Sequence, residues 1–411
     1  MAQQRLYTLD ECRSMALENN VNVRNAANSV KAAREEQKSA FTHYFPVVSA
    51  SGMGYNANKG LLELEMEPGV KMSLLKNGVM GGVTAVQPIF AGGQIVNGNR
   101  LAGVGVQVSE LQRELSTKEV TLTAEQYYWQ VVTLQEKLKT LTALESQLNT
   151  IHKDVKAAVD AGVTTRNDLL QVNLRCNDVA SARVTVENAL SLSRRLLAQY
   201  VGAETDTIAV ADEIDMEQTP VFPEELRCNH DEALSQTTEY RLLDRQVKAS
   251  KIQQQLAVGK TLPTVSVGAG YMYDNLMDKA HPFGIGFVSV SLPISDWWGN
   301  SHSIRQKKLE TRNACNQLAD NSELLVIGMQ KAWDDLEEAY RQLLIAHNSI
   351  EQSTENLRLN QDYYRAGTTT MSDLLDAQSL YQQSRDKYAD AYAQLRIRAV
   401  EYRQATGQEM R

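Results

Sequence analysis

Asp373 and Asp376 stand three residues apart, so on a helix their carboxylates share one face. Paired acids of this kind can attract cations, or be no more than a helix cap and an exposed surface charge, and the surrounding residues decide which. The pair sits at the end of the stretch Ala366-Gly367-Thr368-Thr369-Thr370-Met371-Ser372-Asp373-Leu374-Leu375, and an earlier stretch, Ala161-Gly162-Val163-Thr164-Thr165-Arg166-Asn167-Asp168-Leu169-Leu170, repeats its pattern. In the earlier copy Asp168 matches Asp373, whereas Gln171 replaces Asp376, so only the second copy carries two acids. Tyr364 lies three residues before Gly367. Gly162 and Gly367 suit the left-handed position that ends a helix. Thr165 with Asp168, and Thr370 with Asp373, have the spacing of a box that caps the next helix. The motif therefore reads first as a tight turn between antiparallel helices.

No catalytic constellation accompanies these acids. The six histidines are scattered and include no H-E-x-x-H. Gly259-Lys260-Thr261 resembles the end of a phosphate loop, but Gln254 occupies the place of its first glycine and a strand pattern follows. Cys12, Cys176, Cys228 and Cys315 are far apart and give neither a zinc pattern nor a dense disulfide framework. We expect no enzyme, no metal and no cofactor. The net charge of -8 disfavours nucleic acid, which needs a concentrated basic face. No run of eighteen or more apolar residues suggests a spanning helix. Met1-Ala2-Gln3-Gln4 has no leader character, and the expectation is a sequence from which a signal peptide has been removed.

The elements that carry the turns are themselves duplicated. At the offset separating the two turns, Pro88 meets Pro293, Leu190 meets Leu395 and Gly202 meets Gly407. Further upstream a longer offset matches Pro46 to Pro263 and Ala16-Leu17 to Ala233-Leu234, which puts the extra residues of the first copy in the stretch 57–79, read as a loop. Residues 1–202 form the first repeat, 203–228 an acidic linker with Pro220 and Pro223, 229–407 the second repeat and 408–411 a short tail. Each repeat opens with a helical segment, roughly 8–43 and 229–258. Two strands follow, near 46–56 and 79–88 in the first copy and near 263–273 and 283–293 in the second. Val265, Val267, Ala269, Tyr271 and Tyr273 alternate with Thr264, Ser266, Gly268 and Gly270, the period of a strand. Nothing then breaks a helical pattern for about 65 residues, a helix of roughly 100 Å. The return segment keeps a 3,4 spacing through Leu169, Val172, Cys176, Val179, Arg183 and Val186, which predicts helices coiled side by side.

Four strands cannot close a barrel, and open edges pair with whatever is near. Threefold assembly gives twelve strands of membrane-crossing length, an even number suited to an outer-membrane barrel, with Tyr271 and Tyr273 as anchors at one rim. Around that axis Asp373 and Asp376 make a ring of carboxylates that attracts cations, at a constriction to which Tyr364 and Asp168 also belong. The alternative is a trimeric coiled-coil adhesin or structural protein of the cell envelope.

The duplicated order of strand, strand, long helix, G-[VT]-T-T-x-x-D-L-L turn and return helix resembles the TolC family of outer-membrane efflux proteins, over about residues 8 to 407. The resemblance implies a mainly α fold with a membrane β-barrel: a homotrimer whose twelve-stranded barrel in the outer membrane continues into a long periplasmic α-helical barrel of coiled-coil hairpins. It implies a passive exit duct for small molecules or proteins in a tripartite efflux or type I secretion system. An inner-membrane pump supplies the energy, through a periplasmic adaptor, or membrane fusion, protein. Gly162, Val163, Thr164, Gly367, Thr368 and Thr369 would then form the turns that dock the adaptor. The resemblance also places acids at Asp373 and Asp376. Some relatives latch the turn with an arginine where this chain has Thr369.

Overall fold

The computed structural model describes residues 5–59, 62–67, 70–74, 77–204, 207–275, 280–294 and 296–408. A short strand β1 (Leu6–Tyr7) precedes helices α1 (Leu9–Asn19) and α2 (Val21–Thr42). Strands β2 (Val47–Asn56), β3 (Leu62–Glu67), β4 (Val70–Leu74) and β5 (Asn77–Ala91) lead to α3 (Gln94–Asp160) and α4 (Arg166–Val201). The second half runs β6 (Ala209–Val210), α5 (His230–Leu234), α6 (Thr238–Gly259), β7 (Thr264–Asp274), β8 (His281–Ser291), α7 (Asp296–Arg365) and α8 (Met371–Thr406). The fold is mainly α. Helices α3 and α7 run for 67 and 70 residues. Neither contains a proline, which would break the hydrogen-bond ladder.

The chain divides into two compact units, each drawing on both sequence repeats: residues 1–28, 111–241 and 320–411 form one, and 29–110 with 242–319 the other. The second unit contains an antiparallel sheet in the order β2-β5-β7-β8. The register pairs Val48 with Ala85, Val83 with Tyr271 and Val267 with Val288. Paired residues share a face, so one face collects Val48, Ala50, Val83, Ala85, Val265, Tyr271, Tyr273, Val288 and Val290, without a charge. It is open: Val48 is 66% and Val288 70% exposed. The opposite face carries Ser49, Ser51, Thr84, Ser266 and Ser289 among larger apolar groups. Near the proline-marked end of the strands Phe41, Tyr44 and Phe45 cluster, with ring centroids 5.4 and 5.6 Å from Phe41 to the other two. Gly259 of the Gly-Lys-Thr sequence has a packing role: a Cβ on Gly92 would lie 2.2 Å from its carbonyl oxygen, so two backbones meet there directly.

The stretch 57–79 is not a simple loop. Within it β3 and β4 pair antiparallel, Leu62 with Leu74 and Glu65 with Lys71, and β5 already starts at Asn77. Residues 60–61, 68–69 and 75–76 of that stretch, and 409–411 of the C-terminal tail, lie outside the described residues. Leu62, Leu64 and Met66 alternate with Glu63, Glu65 and Glu67, a period-two pattern that favours a strand over a loop.

In the first unit the core joins α1, α4 and α8 to parts of α3 and α7, around the fully buried Tyr128, Leu197, Leu336, Leu343 and Tyr402. The acidic stretch 203–228 is fastened into this core. β6 pairs parallel with β1, and Ile208, Val210, Ile214 and Leu226 are buried. Each such side chain contributes about 1.5–3 kcal/mol. The Tyr128 hydroxyl ties both strands, donating to Tyr7 O at 3.3 Å and accepting from Asp212 N at 3.3 Å. The helical segment at 8–43 breaks at Asn20, whose backbone is extended and whose Nδ2 donates to Tyr200 O at 3.2 Å.

Candidate functional site

Both Gly-Thr turns lie in the first unit and share one backbone design. Gly162 and Gly367 have φ of +72° and +71°, a region side chains other than glycine rarely enter. Gly162 N donates to Val159 O (2.9 Å) and Val163 N to Ala158 O (2.8 Å); Gly367 N donates to Tyr364 O (3.0 Å) and Thr368 N to Tyr363 O (2.9 Å). These bonds satisfy the last carbonyls of α3 and α7. The capping boxes then start α4 and α8. Asp168 N donates to Thr165 Oγ1 at 3.3 Å and Asp373 N to Thr370 Oγ1 at 3.2 Å, while each aspartate accepts from the threonine backbone in return.

Beneath the turns the apolar side chains form a small core of Val155, Val172, Leu357, Met371, Leu374 and Ala377. Tyr364, Leu169 and Cys176 pack against it half-buried. A groove of about 830 Å³ runs between the two turns. Of the residues singled out by sequence, Val163, Thr164, Asp168, Tyr364, Gly367 and Thr369 line this groove. Gly162 and Thr368 are exposed beside it, and Asp373 and Asp376 are exposed on the first turn and a half of α8, outside the lining.

The two capping aspartates differ in surroundings. Hydrogen bonds from the Thr164 and then the Thr165 hydroxyls hold the Asp168 carboxyl below its ordinary range. Thr370, with Thr369 adding a bond of 2.9 Å, does the same for Asp373. Burial pushes the Tyr364 phenol up, and the Asp168 charge pushes it the same way. The Asp373 carboxylate is thus committed to capping, whereas Asp376 stands one turn on without that duty.

Sequence reasoning did not single out Gln147, Asp154, Gln361 and Arg365, which also line the groove. Gln147, Ile151, Asp154 and Ala158 follow helical spacing toward the first turn, so half of the lining was visible as a face. Its apposition to Gln361 and Arg365 depends on tertiary packing, which spacing does not report. Among the described residues no group of three or more His, Cys, Asp or Glu could hold a metal. All four cysteines are free. Cys12 is buried, and burial pushes its thiol up to about 12. No helix among the described residues is long and apolar enough to cross a membrane.

Comparison with known proteins adds a family and a fold. The family model described as "Outer membrane efflux protein" matches residues 12–203 and again 231–408. No curated protein sequence matches the chain. Among solved structures, the Campylobacter jejuni CmeC outer membrane channel superposes with a TM-score of 0.84 at 15% identity, covering 97% of this chain and 85% of that one. The outer-membrane channel OprN gives 0.79 at 18% identity, covering 98% and 90%. The open state of the Neisseria gonorrhoeae MtrE outer membrane channel gives 0.78 at 16% identity, covering 97% and 89%.

Proposed function

Because the chain belongs to the outer membrane efflux protein family, and is therefore an outer-membrane efflux channel and not an enzyme, we propose that three copies assemble into the exit duct of a tripartite system. The observation that carries this reading is the sheet β2-β5-β7-β8. Among the described residues its outer strands β2 and β8 each have a free edge, and one of its faces is apolar, uncharged and exposed. Three sheets joined edge to edge close twelve strands and leave no edge open. The face bearing Val48, Val83, Tyr271 and Val288 then meets lipid, and the serine-bearing face lines the lumen. Tyr271 and Tyr273 toward one end, and Phe41, Tyr44 and Phe45 toward the other, fit the two aromatic girdles of such barrels.

In this reading β3 and β4 project outside the cell and the long helices run into the periplasm, the signal peptide having been removed. Residues 1–202 and 229–407 act as two equivalent halves joined by 203–228. Gly162, Val163, Thr164, Gly367, Thr368 and Thr369 dock a periplasmic adaptor, and an inner-membrane pump drives transport. Asp373, Asp376, Tyr364 and Asp168 shape the periplasmic entrance. The small, exposed, backbone-defined turns support docking, because a neighbouring helix can approach their main chain closely. The family sets the adhesin alternative aside. Sedimentation of the purified protein tests the assembly: a trimer that requires detergent is expected, and a monodisperse monomer in plain buffer would overturn the proposal. Crosslinks from Val163 or Thr368 to a co-expressed adaptor are expected, and their absence would remove the docking role.

A further inference from the structure

The stretch 203–228 does more than dock on the first unit. Its residues from Asp215 to Leu226 supply one wall of a cavity of about 350 Å³, a size that suits a small molecule. Two tyrosines hold this wall by its backbone: the Tyr388 hydroxyl donates to Asp215 O at 3.3 Å and that of Tyr340 to Pro220 O at 3.4 Å. Leu9 of α1, Trp129 of α3, Leu343 of α7 and Tyr388, Leu395 and Val400 of α8 make much of the remaining surface apolar. Six charged side chains also line the cavity. Asp215, Glu225 and Arg396 are exposed, so water and salt screen them. Arg13, Glu125 and Arg403 are sheltered. Arg13 pairs with the Glu125 carboxylate at 2.8 Å, where Glu125 keeps 1% of its side chain exposed. Arg403, half-buried in the last turn of α8, makes no side-chain hydrogen bond or ion pair among the described residues. Its charge is felt at Glu125, but that carboxylate already has Arg13 as its partner. The sheltered set therefore holds two positive charges against one negative, and the unmatched one is the Arg403 guanidinium.

We propose that this cavity binds a small organic monocarboxylate with an aromatic or aliphatic body, anchored on Arg403. A guanidinium meets a carboxylate through two parallel charge-assisted hydrogen bonds, a geometry that no lysine reproduces. The body of the ligand then sheds water against Trp129, Leu343, Tyr388 and Leu395. An inorganic anion would satisfy Arg403 and leave those walls wet. An amide of the same shape forfeits the charge, and an amine meets Arg403 as a like charge. Because residues 215–226 line the same space, a bound carboxylate ties them to α1, α3 and α8 and stabilises the first unit. All the lining residues belong to that unit of a single chain, so the site does not depend on the duct reading.

The test is equilibrium dialysis of the purified full-length protein, in an uncharged maltoside detergent, against radiolabelled 3-phenylpropanoate. Saturable binding is expected, one molecule per chain, with octanoate as an effective competitor. Competition by 3-phenylpropanamide, 2-phenylethylamine or inorganic phosphate should need concentrations at least about tenfold higher. Arg403→Gln should weaken binding by at least about tenfold, and Arg403→Lys by less. Ala399 also lines the cavity, and Ala399→Phe fills the space while leaving Arg403 in place, so it should abolish binding. Thermal unfolding without ligand identifies any variant that misfolds. Hydrogen exchange of the wild-type protein needs no variant: 3-phenylpropanoate should slow exchange of the amides in 215–226. No saturable binding of either carboxylate would overturn the proposal. So would an amide that competes as well as the acid, binding unchanged in a folded Arg403→Gln or Ala399→Phe, or protection that leaves 215–226 untouched.

Discussion

The turn at Gly162 and the turn at Gly367 have the same backbone and different side-chain surroundings. Their φ angles agree within a degree and their terminal hydrogen bonds match residue for residue. Yet Val163 is 80% exposed, whereas its counterpart Thr368 returns its hydroxyl to Tyr363 O at 3.1 Å. Asp168 lines the groove and bears on Tyr364, whereas Asp373 faces solvent. Leu374 is 2% exposed, whereas Leu169 is half-buried. Glycine, threonine and aspartate therefore suffice to specify the chain reversal. What diverged between the copies is what each turn shows to its surroundings and how firmly it is seated.

The seating predicts the largest difference. Leu374→Ala removes a fully packed side chain and should destabilise the second helical hairpin by about 2–5 kcal/mol. Leu169→Ala empties a half-exposed position and should cost well under half as much. Hydrogen exchange of α8 and α4 amides measures both, and equal losses of protection would erase the distinction. Next come the glycines. Nothing lies within 4 Å of a Cβ at Gly162 or Gly367, so the penalty of a side chain there is backbone strain alone. Gly162→Val and Gly367→Val should each cost about 1–2 kcal/mol. A difference between them larger than the experimental spread would show that the turns are not equivalent in backbone.

Loss of the caps is smaller. Thr165→Ala and Thr370→Ala should each cost about 1 kcal/mol by thermal unfolding. The aspartates of the same boxes add an acid-sensitive contribution. Both carboxyls are held below their ordinary value of 3.8 in the folded chain. Depressed folded-state values mean the contribution is present in full from about pH 5 upward, above the ordinary value, and is lost as pH falls through that value and on through the folded values. Asp168→Asn and Asp373→Asn should each flatten that acid loss, visible in helix melting followed between pH 5 and pH 2. A steeper acid loss in either variant would contradict the hydrogen-bond origin of the shifts.

The duplicated turns and long helices were legible because they depend on local rules: glycine where φ is positive, Thr-x-x-Asp where a helix begins, no proline for seventy residues. The β7 strand was legible because its alternation is strict. The β3–β4 pairing was missed because glycines around it outweighed the Leu-Glu alternation inside it. The fastening of 203–228 was missed for a different reason. Its acids suggested a linker, while Ile208, Val210 and Ile214, the residues that dock it, are too few to show a period. The groove between the turns was half legible, since α3 shows its face in sequence but α7 joins it only through packing.

The smallest expected effect separates Asp376 from Gln171, which hold the same place after the two turns. Asp373 is a poor reporter of the proposed entrance, because replacing it removes a helix cap as well as a charge. Asp376 is exposed and outside the box, so Asp376→Asn changes charge with little structural cost. In a trimer it removes three negative charges from the second turns alone, which should lower cation preference and weaken block by multivalent cations in single-channel recordings. Gln171→Glu adds the same charge to the first turns. If the second turns alone face the axis, Gln171→Glu leaves selectivity unchanged while Asp376→Asn reduces it. If both variants shift selectivity by similar amounts in opposite directions, both turns face the axis and the asymmetry between the copies has no part in selection. If Asp376→Asn changes nothing, the constriction lies elsewhere, and the Asp168–Tyr364 side of the groove becomes the place to look.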